Sequence, residues 1–148
     1  GAAFFMVLAA FVAGGGSAAP PIFERVAIEL HTAQAKYPMQ AELAKTQEQQ
    51  AYGLKHRAQL ADDSGMLFDF GEPRAIAMWM EDTRLPLDMI FLDAKGRVVH
   101  IEQNTKPYSL DKLMAPAPVR AVLELNAGKA RSWNIQNGDY VEYEGWKP

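Results

Sequence analysis

The sequence predicts a mainly β fold, a small barrel- or sandwich-like domain of short strands with two short helices. Three observations support this fold class. Short runs of strand-forming residues recur at close spacing along the chain. Gly, Pro and Asn turn signals separate these runs. No long helical period lies between them, although a parallel α/β sheet would need helices in those positions.

The first two strands are predicted from alternation. Residues 25–32 place apolar side chains on one face and polar side chains, among them Glu29 and His31, on the other. This pattern is typical of a half-exposed strand. Residues 37–43 alternate in the same way, and we expect them to pair with the first strand.

Local signals predict two short helices. Thr46 is an N-cap with Gln49 three residues later, the pattern of a capping box, and Gly53 is a plausible stop for that helix. The second helix is predicted to start at residues 126–128. A turn at 137–138 and a terminal strand over 139–144 follow it.

The central stretch, residues 65–93, is the longest apolar-rich run of strand-like sequence. Gly71 to Pro73 is expected to break it, because proline lacks a backbone donor. Residues 75–80 resume as a strand with two apolar faces, which predicts cover on both sides. After residue 93 a turn with Gly96 leads into the returning strand, 97–102. A proline-rich loop then precedes a strand over 119–125.

Three segments of the sequence carry a family resemblance: GMLFDF (65–70), WMEDTRLPLDMIFLDAKGRVVHI (79–101) and AVLELNAG (121–128). Together they resemble the domain-of-unknown-function 192 family over roughly residues 38–141. The chain departs from the family pattern at Lys55, where methionine is usual, and at Gln49 or Gln50, where a basic residue is expected. The family has no established activity, so the resemblance implies a fold and no reaction.

The first nineteen residues predict a signal peptide. An apolar run over 2–13 is too short for a bilayer span, and small residues follow it over 14–19. Residues 20–148 are then a single β-rich domain without a membrane span, in the periplasm or secreted. The alternative is an apolar segment docked in the fold. The chain has no cysteine, so it needs no disulfide.

The net charge of the chain and the motifs in its sequence limit the classes of partner that we expect. The net charge is −3 and no basic stripe is visible, so we expect no nucleic-acid partner. The partner is expected to be a small ligand or another protein. No phosphate-binding glycine loop or other cofactor motif occurs. The three histidines lack the spacing of a zinc site, so no metal site is predicted; they are His31, His56 and His100.

A cleft is predicted beside Trp79, because an aromatic platform, a hydroxyl and two carboxylates resemble a pocket for a small polar ligand. The residues assigned to it for ligand binding are Trp79, Thr83, Asp88, Glu124 and Arg57. Structural roles compete with three of these. Asp88 is suited to capping a turn or accepting backbone amides, Glu124 to pairing with Arg57 or Arg120, and Trp79 to the core.

These residues favour a non-enzymatic binding or accessory protein, and two alternatives stay open. One is a hydrolase that uses Asp88 and Glu124 as general acid and base. The other is a Cu(I) carrier, because thioethers such as those of Met78 and Met80 suit soft metal ions. Methionine also fills gaps in cores, which is the simpler interpretation of this pair.

Overall fold

A computed structural model describes residues 1–4 and 19–148 of the chain. Its strands are β1 (Ala2–Phe4), β2 (Glu24–His31), β3 (Lys36–Ala44), β4 (Ser64–Arg74), β5 (Ala77–Trp79), β6 (Leu87–Leu92), β7 (Val98–Glu102), β8 (Leu113–Met114), β9 (Val119–Asn126) and β10 (Tyr140–Glu142). Its helices are α1 (Gln47–Tyr52) and α2 (Lys129–Ser132), with a 3-10 turn at Glu144–Trp146.

Seven strands form one curled sheet in the order β10-β2-β3-β4-β9-β6-β7, which makes a half-barrel. Neighbours in this sheet run antiparallel except β3 and β4, which are parallel. A parallel pair needs a crossover connection, and α1 lies in that connection. A second sheet has the order β1-β5-β8. The predicted mainly β fold with two short helices is confirmed.

The large sheet separates two apolar clusters, because successive side chains of a strand point to opposite faces. The first cluster includes Leu67, Ile90 and Leu123 and is covered by β2, β3 and β10. The second includes Phe68 and Phe91 and is covered by β5 and its flanking segments. We refer to these as the first and second clusters. Strands β6 and β9, and β4 as far as Phe70, are therefore buried on both sides.

Several local predictions are confirmed. Strands β2 and β3 pair antiparallel. The capping box forms, since the Gln49 N–H donates to Thr46 Oγ1 (3.1 Å) and the Thr46 N–H donates to Gln49 Oε1 (3.1 Å). In the hairpin between β6 and β7, Gly96 adopts a φ of 84°, the left-handed conformation that glycine permits.

The predicted break at residues 71–73 is wrong. Strand β4 continues to Arg74, and its register against β9 shifts between Asp69 and Arg74. Gly71, with a φ of 82°, donates its N–H to Asp69 Oδ1 at 2.9 Å. A β-bulge of this kind bends a strand without ending it, and it absorbs residues that could not pair regularly. The strand expected over 75–80 is shorter than predicted, since β5 covers only Ala77–Trp79. The proline-rich loop contains the two-residue strand β8.

The signal-peptide prediction covers residues 1–19, and residues 5–18 lie outside the described part of the chain. Residues 2–4 form β1, which pairs with β5. Among the helices of residues 1–4 and 19–148, none has the length and apolarity needed to cross a bilayer.

Candidate functional site

The candidate site lies along strand β5. This strand pairs antiparallel with β8 on one side and with β1 on the other, in the register Ala2–Trp79, Ala3–Met78 and Phe4–Ala77. Residues 19 and 20, where the described chain resumes, belong to no strand. Strand β1 is therefore a short extended segment that pairs with one edge of β5, in a sheet separate from the large one.

Glu124 lies where this added segment begins. It occupies β9 between Met66 of β4 and Met89 of β6, its cross-strand partners, and all three residues are fully buried. Since Val122 belongs to the second cluster and the strand alternates, the Glu124 side chain faces that cluster too. A carboxylate in such apolar surroundings is costly unless a cation meets it.

The Gly1 amino group meets the Glu124 carboxylate. The amine donates to Oε1 at 2.8 Å and lies 2.7 Å from Oε2. Burial raises the pKa of the Glu124 carboxyl, although the nearby amine opposes this shift. Burial likewise lowers the pKa of the amine, with a smaller contribution from Lys55 in the same direction. Each group thus provides the partner that the other requires in a dry environment.

The space around the Gly1 amino group is narrow. We call this space, which is bordered by Trp79, Met89 and Glu124, the Glu124 seat. A Cβ added to Gly1 would collide with the Trp79 carbonyl oxygen and would lie 2.6 Å from Met89 Cε. Gly53, at the end of α1, has a φ of 53°, and a Cβ there would collide with the Gly1 carbonyl oxygen. The structure therefore leaves no room for a side chain at Gly1 or at Gly53. Beside it, Lys55 Nζ lies 3.2 Å from Glu81 Oε2.

Asp88 has a structural role. Its Oδ1 accepts the Asn104 N–H at 2.9 Å, while Oδ2 accepts those of Gly128 (3.1 Å) and Ala130 (2.8 Å). The carboxylate thereby ties β6 to the loop after β7 and to the start of α2. The structural role proposed from the sequence, acceptance of backbone amides, is confirmed.

The structure does not bring the two predicted catalytic carboxylates together. Asp88 is the register partner of Leu125 and faces the first cluster, while Glu124 faces the second. Successive residues of β9 alternate, so the sheet itself lies between the two acids. The hypothesis of paired general acid and base is wrong for this geometry.

Thr83 and Trp79 occupy different positions relative to the seat. Trp79 is half-buried, and its backbone pairs with Ala2 in the β1–β5 ladder. Thr83 is fully buried in the turn after β5, where its hydroxyl donates to the Glu81 carbonyl at 2.9 Å. Its own carbonyl accepts the Tyr108 N–H at 3.0 Å. Thr83 therefore shapes the turn beside the site.

The arginine partners expected for Glu124 are wrong. Arg57 forms a bidentate pair with Glu42, with Nη2 to Oε2 at 2.7 Å, and that hydrogen bond is the main reason its pKa is raised. Arg120 Nε instead lies 3.4 Å from Asp69 Oδ1. Arg57 borders a separate surface cavity of about 340 Å³ with Phe23, Glu42 and Ser64. The structure thus places Arg57 outside the Glu124 seat.

Four methionines lie in the apolar cluster that Glu124 faces. Met78 and Met80 both belong to the second cluster, as do Met66 and Met89. The Met80 sulfur accepts a hydrogen bond from the Thr105 hydroxyl at 3.3 Å. The gap-filling role suggested from the sequence agrees with this burial.

The sequence reasoning missed the residues that complete the site, namely Gly53, Met66, Met89 and the segment Gly1–Phe4. One signal was available for the segment, because the apolar run at the chain start suits either a leader or a docked element. Another was Gly53, whose glycine also permits a close backbone approach.

A family model covers most of this fold, matching residues 28–143. Its description is DUF192, an uncharacterized ACR family. The chain belongs to the DUF192 family. The resemblance seen in the sequence is confirmed.

Two solved structures resemble this DUF192 chain. One is a candidate transcription regulator from Sinorhizobium meliloti 1021, with 40% identity, a TM-score of 0.81, and alignment over 83% of this chain and 96% of that one. The other is a protein of unknown function from Novosphingobium aromaticivorans DSM 12444, with 36% identity, a TM-score of 0.79, and alignment over 88% and 100%. No curated protein matches this chain.

Proposed function

We propose that this DUF192 chain is a non-enzymatic binding protein that receives an extended peptide segment along β5. The ligand's terminal ammonium group lies against Glu124 in this proposal, and its backbone adds a strand to the β5–β8 sheet. Strand addition supplies affinity through main-chain hydrogen bonds, while pockets for individual groups supply specificity.

One observation supports this proposal above the others. Gly1 to Phe4 already occupy the site in this manner, with the amine 2.7 and 2.8 Å from the two Glu124 oxygens and with β1 in register on β5. The segment stands in for a ligand. Without it, Glu124 would face no cation in an apolar pocket, where burial favours the neutral carboxyl, and binding of an amine would restore the charged pair.

We further propose that the protein is periplasmic or secreted and that residues 1–19 are removed. Removal would vacate the edge of β5 and leave Glu124 to a ligand from elsewhere. Mass spectrometry of the mature protein from periplasmic and culture fractions tests this. A full-length chain confined to the cytoplasm would contradict the proposal.

Nucleic acid is not part of this proposal. The Sinorhizobium protein is described as a candidate transcription regulator. The present chain has a net charge of −3, and nonspecific attraction to phosphate backbones requires basic surface.

The binding proposal is tested by supplying the segment in trans. Residues 20–148 contain the whole family match, which starts at residue 28. Calorimetric titration of this fragment with the peptide Gly-Ala-Ala-Phe is compared with its N-acetylated form. Because a hydrogen bond to a charged group contributes about 1.5–3 kcal/mol, we expect acetylation to weaken binding by roughly 10- to 100-fold.

Two variants serve as controls. Glu124→Gln should abolish the preference for the free amine, whereas Glu72→Gln, at an exposed position of β4, should preserve it. Circular dichroism establishes that each protein is folded. Equal affinity for the free and acetylated peptides, or no binding by a folded fragment, would refute the proposal.

A further inference from the structure

Strands β2 and β10 place three metal-ligating side chains together on the outer face of the half-barrel. Glu29 and Glu142 are directly opposed in the antiparallel register, and His31 follows Glu29 by two residues on the same face. One donor atom from each residue lies within 4.8 Å of the other two. All three side chains are half-buried.

Two of the distances between donor atoms are short enough for a common metal ion. His31 Nε2 lies 2.8 Å from Glu29 Oε1 and 3.3 Å from Glu142 Oε2. Ligands bound to one zinc ion at about 2.0–2.2 Å in a tetrahedral site lie roughly 3.3 Å apart. Three protein ligands, one imidazole and two carboxylates, would leave the fourth position for water or a ligand.

The imidazole nitrogen provides a second observation. His31 Nε2 exposes less than 1 Å² to solvent and has no hydrogen-bond partner, despite the nearby carboxylates. The Nε2 atom is therefore close to the Glu29 carboxylate, but the geometry is not that of a hydrogen bond. A buried polar atom in this state is rare and calls for an explanation.

Charge also favours a cation here. Like charges directly opposite each other on neighbouring strands are destabilising, and Glu29 and Glu142 are such a pair. Lys147 meets the other oxygen of Glu142, Oε1, at 3.5 Å and leaves Oε2 to the cluster. The ring of His31 is held edge-on by Tyr140, with centroids 5.5 Å apart. A second cationic residue, Lys36, is the register partner of His31 on β3.

We propose that Glu29, His31 and Glu142 bind a divalent transition-metal ion of the zinc class. Imidazole and carboxylate donors suit Zn²⁺ and its neighbours in the series. The site lies on the outer face of β2, and the Glu124 seat lies across the large sheet, beyond the first cluster. The two proposals are therefore independent.

The chain contains a matched control for this site. His100 and Glu102 also lie two residues apart on one strand, with Nε2 2.9 Å from Oε1 and with similar exposure of both side chains. There the two groups form a hydrogen bond, and they are not part of a three-ligand cluster among the described residues. The difference between the two pairs is the third ligand, Glu142.

Zinc titration of the full chain by calorimetry, with any affinity tag removed, tests the proposal. We expect one Zn²⁺ per chain. Even outer-shell substitutions weaken metal affinity by about 10- to 100-fold, so His31→Ala and Glu142→Gln should each weaken it by at least about tenfold. His100→Ala should leave the affinity unchanged. Histidine ring NMR signals should report zinc at His31 alone.

Several results would overturn the metal site. These are no saturable binding of Zn²⁺ or Ni²⁺, an equal loss in His31→Ala and His100→Ala, or no loss in Glu142→Gln. Glu142→Gln also serves as the conservative variant if His31→Ala fails to fold. Glu124→Gln should leave zinc affinity intact, so failure of one proposal is distinguishable from failure of the other.

Discussion

Two buried carboxylates on neighbouring strands of one sheet show how differently the protein treats the same chemical group. Asp88 faces the first cluster and accepts three backbone N–H groups, one from the loop after β7 and two from the start of α2. Glu124 faces the second cluster and has the terminal amine of a short added strand as its ionic partner. Backbone donors belong permanently to the fold, whereas an amine on a short segment can leave. The first acid therefore stabilises the structure, and the second is the residue on which the binding proposal rests.

The largest effect is expected from Asp88→Ala. The substitution removes the acceptor of three N–H groups, of which that of Ala130 is buried and those of Asn104 and Gly128 are partly buried. Because an unsatisfied buried group costs about 1–3 kcal/mol, we expect a loss of at least about 2 kcal/mol in the free energy of unfolding. Urea denaturation measures it. Asp62→Ala, at a site where 93% of the side chain is exposed, should change stability by less than about 0.5 kcal/mol. A loss for Asp88→Ala no larger than that of Asp62→Ala would remove the contrast between the two acids.

Glu124→Leu in the full chain should cost less, roughly 1–2 kcal/mol. The leucine suits the apolar surroundings, and the Gly1 amine can return to water when β1 detaches, so no charge stays buried and unpaired. Hydrogen exchange should accelerate at Ala2–Phe4 and along β5 while β6 and β9 keep their protection. Global acceleration instead would mean that Glu124 supports the fold as Asp88 does.

Tyr143 extends the comparison to a third buried acid, Asp69. Burial, with a smaller contribution from Asp69, raises the pKa of Tyr143 to about 12 from an ordinary value of 10.0. The folded state therefore favours the protonated phenol. Its contribution to stability is fully present below pH 10 and is lost as the pH rises towards 12. The hydroxyl lies 3.4 Å from Asp69 Oδ2, so we expect Tyr143→Phe to cost only about 1 kcal/mol or less at neutral pH.

Phenolate absorbance during an alkaline titration measures this pKa. The most basic tyrosine transition should disappear in Tyr143→Phe and persist in Tyr108→Phe, whose side chain is exposed. If that transition survives in Tyr143→Phe, another tyrosine holds the raised pKa.

Met78→Leu should have the smallest effect. The exchange conserves volume in a buried position, so it should change stability by less than about 1.5 kcal/mol. The same variant, together with Met80→Leu, tests the Cu(I) carrier that the sequence left open. Unchanged Cu(I) affinity in both would dispose of that alternative, and a strong loss would give Met78 and Met80 a function.

Local signals predicted much of the fold. The capping box at Thr46, the turn at Gly96 and the pairing of β2 with β3 depend on neighbouring residues, so they could be inferred from short stretches. The bulge at Gly71 could not, because a glycine followed by proline is typical of a strand end. Whether β4 continues is decided by β9, which pairs with it on both sides of the irregularity.

The candidate sites were predicted less well, and the reason is register. Glu124 was identified as a site residue, but its partner was sought among the arginines, which pair with Glu42 and Asp69 instead. His31 was assigned to the polar face of its strand, which is correct. Its proximity to Glu142 arises only because β10 pairs with β2, and these strands lie far apart in the sequence.

The sequence alone determined the mainly β class, the family, most strand positions and the fact that Asp88 and Glu124 were unusual acids. These features follow from periodicity, capping and turn chemistry, which act over a few residues. The tertiary structure decided which face of the sheet each acid occupies and which groups contact it. It also decided which three side chains form the cluster of possible metal ligands. Such choices depend on pairing between distant strands, and a shift of one residue in that pairing would send each side chain to the opposite face.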